Sequence, residues 1–165
     1  MSRLFLSTIV ALTMLPAVAL AKTFAVPGND PIATISIPDS WDPEAYEGGV
    51  EATSDDGDVY IAVEAVESSD IGEATREGIK WLAKQGIELD EKTRQVIETP
   101  VNGLPGLTVV WDGRDGEGPT RVGITLVKPN ERNRFLLLYG WGSLEAREAN
   151  AADIEKMIAS LTATK

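Results

Sequence analysis

Two acidic, glycine-rich stretches carry the residue types that bind a metal ion or cradle a phosphate. "WDGRDGEGPT" (residues 111–120) sets Asp112, Asp115 and Glu117 among three glycines, and "SDDGD" (residues 54–58) sets three aspartates around one glycine. A calcium loop of the EF-hand type places oxygen ligands at alternate positions and finishes on a distant glutamate. Here the acids of the longer stretch are spaced three and then two, Arg114 stands two positions after Asp112, and no glutamate follows at the required distance. An arginine inside the cage argues against the ion. Glycines at positive φ are what a chain needs to reverse one strand into the next, so both stretches read as turns. No metal site and no cofactor site is expected.

The chain contains no histidine and no cysteine. That excludes Ser-His-Asp and Cys-His nucleophilic systems, histidine-ligated zinc and thiolate metal sites. Gly-x-Ser-x-Gly, Ser-x-x-Lys, the P-loop and Gly-x-Gly-x-x-Gly are absent as well. Carboxylate chemistry stays open. A glycosidase pair needs one carboxyl kept as an acid and an ionised partner across a sugar-sized cleft. With 26 acidic residues in the chain, coincidental pairs are unavoidable, and most acids in such a chain form a solvated face.

The N-terminus points to export. Arg3 precedes an apolar run over residues 4–20, and "ALA" at residues 19–21 is a small-x-small cleavage site, so residues 1–21 read as a cleavable signal peptide and the mature chain as residues 22–165. No cysteine is available for a lipid anchor, and no later stretch is apolar enough to span a bilayer. The expected product is periplasmic or extracellular, soluble, without a membrane anchor after cleavage, and a single domain. An exported chain without cysteine must be stabilised by packing alone. The formal charge of -11 becomes about -12 once Arg3 is lost, a surface that repels nucleic acid and anionic headgroups.

Strands dominate the mature chain. "ATISIPDSW" (residues 33–41) alternates around Ile35 and Ile37 and stops at Pro38. Residues 49–67 hold an Asp-Gly turn between two alternating segments, a hairpin with Val59, Ile61, Val63 and Ala65 on one face. From residue 70 to 85 the period becomes helical, opened by an Asp70/Glu73 capping box and closed by Gly86. "TRQVIET" (residues 93–99) reads as a strand and "VNGLPG" (101–106) as a turn. Three strands then follow as a meander whose turns are the 111–120 stretch and "NERN" (130–133). A C-terminal helix runs from Ser143 to about Leu161, with a fresh start available at Asn150 and Asp153. Val109 and Trp111 oppose Val110, and Phe135, Leu137, Tyr139 and Trp141 oppose Leu136 and Leu138, so the sheet is apolar on both faces and needs two covers. The expected fold is a single-domain α+β sandwich, a central antiparallel sheet covered by two main helices and the extended N-terminal segment.

The order "ISIPDSW", hairpin, helix, "VNGLPGLTVVW", long hairpin, "RFLLLYGW" and a last helix ending "IEKMIASL" resembles the PsbP-like superfamily, and more narrowly its small bacterial DcrB-like exported members. The likeness spans nearly the whole mature chain, and its motifs are structural: Ile-Pro-x-x-Trp, Asn-Gly-x-Pro-Gly and a terminal Ser-Leu. It implies a two- or three-layer sandwich and a non-catalytic role, as an extrinsic subunit of a membrane complex, a partner-binding adaptor or a chaperone. The lipid anchor of DcrB-like lipoproteins does not carry over, because the cysteine is missing. Nor do the metal-binding histidines of some photosynthetic members.

Aromatic residues supply the binding candidates. Trp41, Trp81, Trp111 and Trp141 are numerous for a chain of low aromatic content, and Tyr46, Tyr60 and Tyr139 stand available to extend an aromatic wall for an apolar ligand or hydrophobic peptide. Strand-borne aromatics ordinarily pack under a covering helix, so the tryptophans read first as core, Trp41 among them because it closes its turn against the covering layer. Trp81, beside Leu82 at the edge of the helix stripe, is expected to be half exposed. Trp81, Trp141 and Tyr46 are the candidate partner-binding residues of a binding or adaptor protein that contacts a protein or envelope component; the alternative is a carboxylate-dependent hydrolase of an envelope glycan.

Overall fold

The computed structural model describes residues 20–68, 70–129 and 133–164. The candidate leader up to residue 19, and the "NERN" turn apart from Asn133, lie outside the described residues. Chain order is β1 (Ala21–Val26), β2 (Ala33–Pro38), β3 (Glu44–Ala45), β4 (Gly49–Thr53), β5 (Val59–Glu67), α1 (Ile71–Lys84), β6 (Glu88–Leu89), β7 (Gln95–Glu98), β8 (Gly106–Arg114), β9 (Pro119–Val127), β10 (Arg134–Gly142), α2 (Leu144–Ala149), α3 (Ala151–Ser160) and β11 (Thr162–Ala163). Among the described residues no helix is long and apolar enough to cross a membrane.

The α+β class holds, and the large sheet is the antiparallel one expected, with strand order β3-β4-β5-β10-β9-β8-β6 and β7 also paired to β8. Its alternation divides the core in two. Phe135, Leu137 and Tyr139 of β10 join Trp111, Ile124 and Leu82 beneath α1, whereas Leu136 joins Val50, Val63 and Trp41 on the other face. The second cover is richer than the sequence suggests. Besides α2 and α3 it contains a separate three-stranded sheet, β1-β2-β11, in which β2 is the middle strand. The C-terminal helix is broken at Asn150, whose side-chain amide bonds the Ala146 carbonyl (3.0 Å) and the Asp56 carboxylate (3.0 Å).

Local chemistry explains most boundaries. Asp70 Oδ1 accepts from the Glu73 amide at 2.9 Å and starts α1. Gly78 lets that helix approach the sheet, since a Cβ there would stand 3.1 Å from both Ile124 and Tyr139. The "VNGLPG" turn has a second task. Asn102, at φ 50, holds its side-chain amide 2.9, 3.2 and 2.8 Å from the carbonyls of Ile158, Ala159 and Leu161, where the end of α3 has no helical donors left.

Both acidic stretches are turns. In the longer one Asp115 Oδ1 accepts from the amides of Glu117 (2.9 Å) and Gly118 (3.0 Å), and Gly118 adopts φ 138. Asp112 faces across the ladder to Arg121 at 2.9 Å. In "SDDGD", Asp56 accepts from the Ser54 hydroxyl, the Asn150 amide and the Asp58 backbone, and these bonds, the hydroxyl's foremost, hold its carboxyl below the usual range. Among the described residues no group of three or more acidic side chains converges in a way that would hold a metal ion.

Candidate functional site

Helix α1 packs chiefly on β9 and β10. Beyond it, towards β4 and β3, the same face of the large sheet is aromatic and acidic. Register dictates this. On β5 the residues between the core positions Val59, Ile61, Val63 and Ala65 are Tyr60, Ala62, Glu64 and Val66, so tyrosine and glutamate emerge on the α1 side. Tyr60 lies directly opposite Trp141 of β10, and cross-strand neighbours at that spacing stack. Their ring centroids are 4.0 Å apart with planes 25° apart.

Trp81 descends on this pair from the last turns of α1. Its ring is 4.9 Å from Tyr139, 5.7 Å from Trp141 and 6.0 Å from Tyr60. Tyr139 is buried beneath the group, while Tyr60, Trp81 and Trp141 are half-buried. Tyr46, which enters the β3–β4 turn, is 39% exposed and forms the outer rim. Trp41 and Trp111 are elsewhere, fully enclosed in the two cores.

Carboxylates fix the phenols. Glu64 accepts from Tyr139 at 2.6 Å on one oxygen and from Tyr46 at 3.1 Å on the other. Glu51 accepts from Tyr60 at 2.5 Å. Burial is the first cause, and the neighbouring glutamates the next, that push all three phenols far above their ordinary value. They therefore remain neutral donors through the physiological range. Glu44 stands opposite Glu51 in the β3–β4 ladder, a like-charge pair that nothing in the pairing itself favours.

These three are the only tyrosines of the chain, which makes the cluster easy to titrate. A folded value raised above the unfolded one, about 10 for tyrosine, gives stabilisation that is fully present below about pH 10 and lost as pH rises above it. Tyrosinate absorbance should show no step near pH 10, and should rise together with alkaline unfolding. A tyrosinate step near pH 10 in the folded protein would contradict the hydrogen-bonded arrangement.

The structure thus brings together Trp81 and Trp141, with Tyr46 joined to them through Glu64 and Tyr139. Sequence reasoning missed the two glutamates and left the tyrosines as mere additions. The signal was present in the alternation that set Tyr60 and Glu64 on one face, but Glu64 looks like any other solvated acid until β10 is placed beside it.

The architecture is that of the PsbP-like fold. CyanoP, the cyanobacterial PsbP of Synechocystis, is similar with a TM-score of 0.58 at 11% identity, over 93% of this chain and 98% of its own. LpqN of Mycobacterium tuberculosis, involved in cell envelope biogenesis, aligns with a TM-score of 0.57 at 13% identity, over 88% of this chain and 92% of that one. The Ran-binding protein Mog1p of Saccharomyces cerevisiae aligns with 0.52 at 13% identity, over 87% and 95%. At these identities the likeness establishes the fold alone. No family model and no curated protein matches the sequence.

Proposed function

We propose that this chain is a non-catalytic, exported binding protein that receives a cationic side chain, lysine or arginine, of a partner protein on the aromatic and carboxylate face. The observation that carries the reading is the Tyr60–Trp141 stack and Trp81 set beside Glu51 and Glu64. A cation over an indole or phenol face gains about 0.5 to 2 kcal/mol, more as water is excluded. It would also relieve the opposed Glu44 and Glu51. The hydrophobic peptide expected for an aromatic wall fits less well, because this wall is edged with charge. Mog1p binding Ran, and LpqN acting in the envelope, support a partner-binding, envelope-associated use of the fold.

The hydrolase reading has less behind it. Acid and base roles require two carboxyls in unlike environments, yet Glu51 and Glu64 are both half-buried and both accept from tyrosine hydroxyls. Export rests on the leader pattern, and the mature protein recovered from its own envelope should begin at Lys22 on N-terminal sequencing. Retention of the apolar run would refute it.

Fluorescence anisotropy of a labelled arginine-bearing peptide, with a glutamate-substituted control, tests the site. The cationic peptide should bind and the acidic one should not, with affinity falling as salt rises. Trp81→Ala should weaken binding at least tenfold, about 1.4 kcal/mol, while costing less than about 2 kcal/mol of stability because the ring is half-buried. Equal binding of the two peptides, or indifference to Trp81→Ala, would overturn the proposal.

A further inference from the structure

The opposite face of the large sheet contains a gap. Gly123 of β9 and Gly140 of β10 are directly paired, and the row they share runs from Val110 through both glycines to Ile61. Neither glycine has a positive φ. A Cβ at Gly123 would come no nearer than 3.8 Å to any neighbour, and one at Gly140 no nearer than 3.7 Å. Neither backbone conformation nor crowding requires glycine here, although glycine weakens a strand interior and often marks a place where something else comes close. What the pair does is floor a cavity of about 130 Å³ between the sheet and α3.

The walls of that cavity are apolar, with Leu138 and Ile61 from the sheet and Ile154 and Ile158 from α3. Thr108 and Thr125 also line it, their hydroxyls bonded to each other at 2.8 Å. One cation is present. Arg147, carried by α2, lines the cavity and spends its Nη1 on two long bonds, 3.3 Å to the Gly140 carbonyl and 3.4 Å to the Arg121 carbonyl. Among the described residues no carboxylate lies within ion-pair distance of it, whereas the adjacent Arg121 is neutralised by Asp112 at 2.9 Å. Burial, and then repulsion from Arg121, pull the Arg147 guanidinium below its ordinary pKa. A partly buried charge is ordinarily matched by an opposite one, and here the matching group is missing.

We propose that this cavity binds a small amphiphilic carboxylate, its head on the Arg147 guanidinium and its apolar chain over the Gly123–Gly140 floor. The volume is close to the roughly 150 Å³ known to house a benzene-sized guest, and because the cavity is not fully enclosed it takes a single ring or an alkyl chain of modest length with the head at its mouth. The net charge of -11 opposes an anion at long range, so recognition rests on contact with one guanidinium and the fit of the chain. The site lies on the other side of the sheet from the aromatic face and does not depend on what docks there.

Titration of the intact protein with octanoate, followed through the backbone amide signals of Gly123 and Gly140, tests the assignment. Octanoate should shift both signals saturably and raise the melting temperature. Octanol should bind at least tenfold more weakly, and octylammonium should leave both signals in place. Arg147→Met should lose at least tenfold in octanoate affinity, and Gly123→Val, which fills the floor, should abolish binding with the fold retained. Trp81→Ala should bind octanoate as the parent does, which separates failure here from failure of the peptide site. The proposal is overturned if octanoate leaves the two glycines unshifted, or if octanol matches it. Should Arg147→Met not fold, the octanol comparison and Gly123→Val decide, and undiminished binding in Gly123→Val overturns the proposal.

Discussion

Replacing Trp41 by alanine is expected to lower the stability of the domain by about 3 to 5 kcal/mol, the range for deleting a large core aromatic. Trp41 closes the "IPDSW" segment in a single tight helical turn after β2, and it is 1% exposed. It belongs to the core cluster of Ile35, Ile37, Val50, Val63 and Leu136, so its removal leaves a void between the large sheet and the small one. Against a domain stability of roughly 5 to 15 kcal/mol, that loss separates a folded population from a marginal one. Trp81→Ala serves as the comparison, because the same residue type is deleted from a half-buried place. Denaturant midpoints of the two variants should differ clearly. Equal and severe losses would show Trp81 to be core, and would remove it from the binding face.

Gly49→Ala is expected to be at least as damaging, about 3 kcal/mol or more, through overpacking against an unyielding neighbour. A Cβ at Gly49 would stand 1.9 Å from the Val63 carbonyl oxygen and 2.8 Å from the Glu64 Cα. Both are backbone atoms of β5, so no rotamer change relieves the clash. Gly49 pairs with Glu64, and the end of β4 would have to part from β5 at the position where Tyr46 reaches Glu64. Gly28→Ala is the control, since a Cβ there meets nothing within 4 Å and an uncrowded surface change stays within about 0.5 kcal/mol. Urea melts of both decide the matter, and a Gly49→Ala variant as stable as Gly28→Ala would refute the close approach of the strands.

How far the sequence reaches depends on whether the signal is local. The Asp70 cap, the turns at Gly57 and Gly118, and the alternation along β5 and β10 are written in consecutive residues, and they were legible. Partner choice is written in pairs far apart, and it was not. β11 is two residues long, too short to show any period, so nothing announced that it would pair with β2. The half-exposed position of Trp81 followed from its place on the helical stripe. Glu51 and Glu64 needed the register against Tyr60 and Tyr139 before they differed from other acids. Gly123 and Gly140 each sit inside a strand pattern, "VGI" and "YGW", and only the β9–β10 ladder sets them side by side.

The middle position of β2 has a kinetic consequence. One neighbour, β1, precedes it closely, but the other is β11, and the bond between the Ser36 amide and the Ser160 hydroxyl closes a span of 124 residues. The central ladder of the large sheet, β5 with β10, likewise waits for α1 and four strands to be made. Such non-local pairing places folding in the slow class of β-rich domains, roughly milliseconds to seconds. While the chain is still being made, Ile35, Ile37 and Trp41 have no helix α3 and no β10 to cover them. On the ribosome the small sheet is therefore completed only when residues 162 and 163 arrive to pair with Thr34 and Ala33.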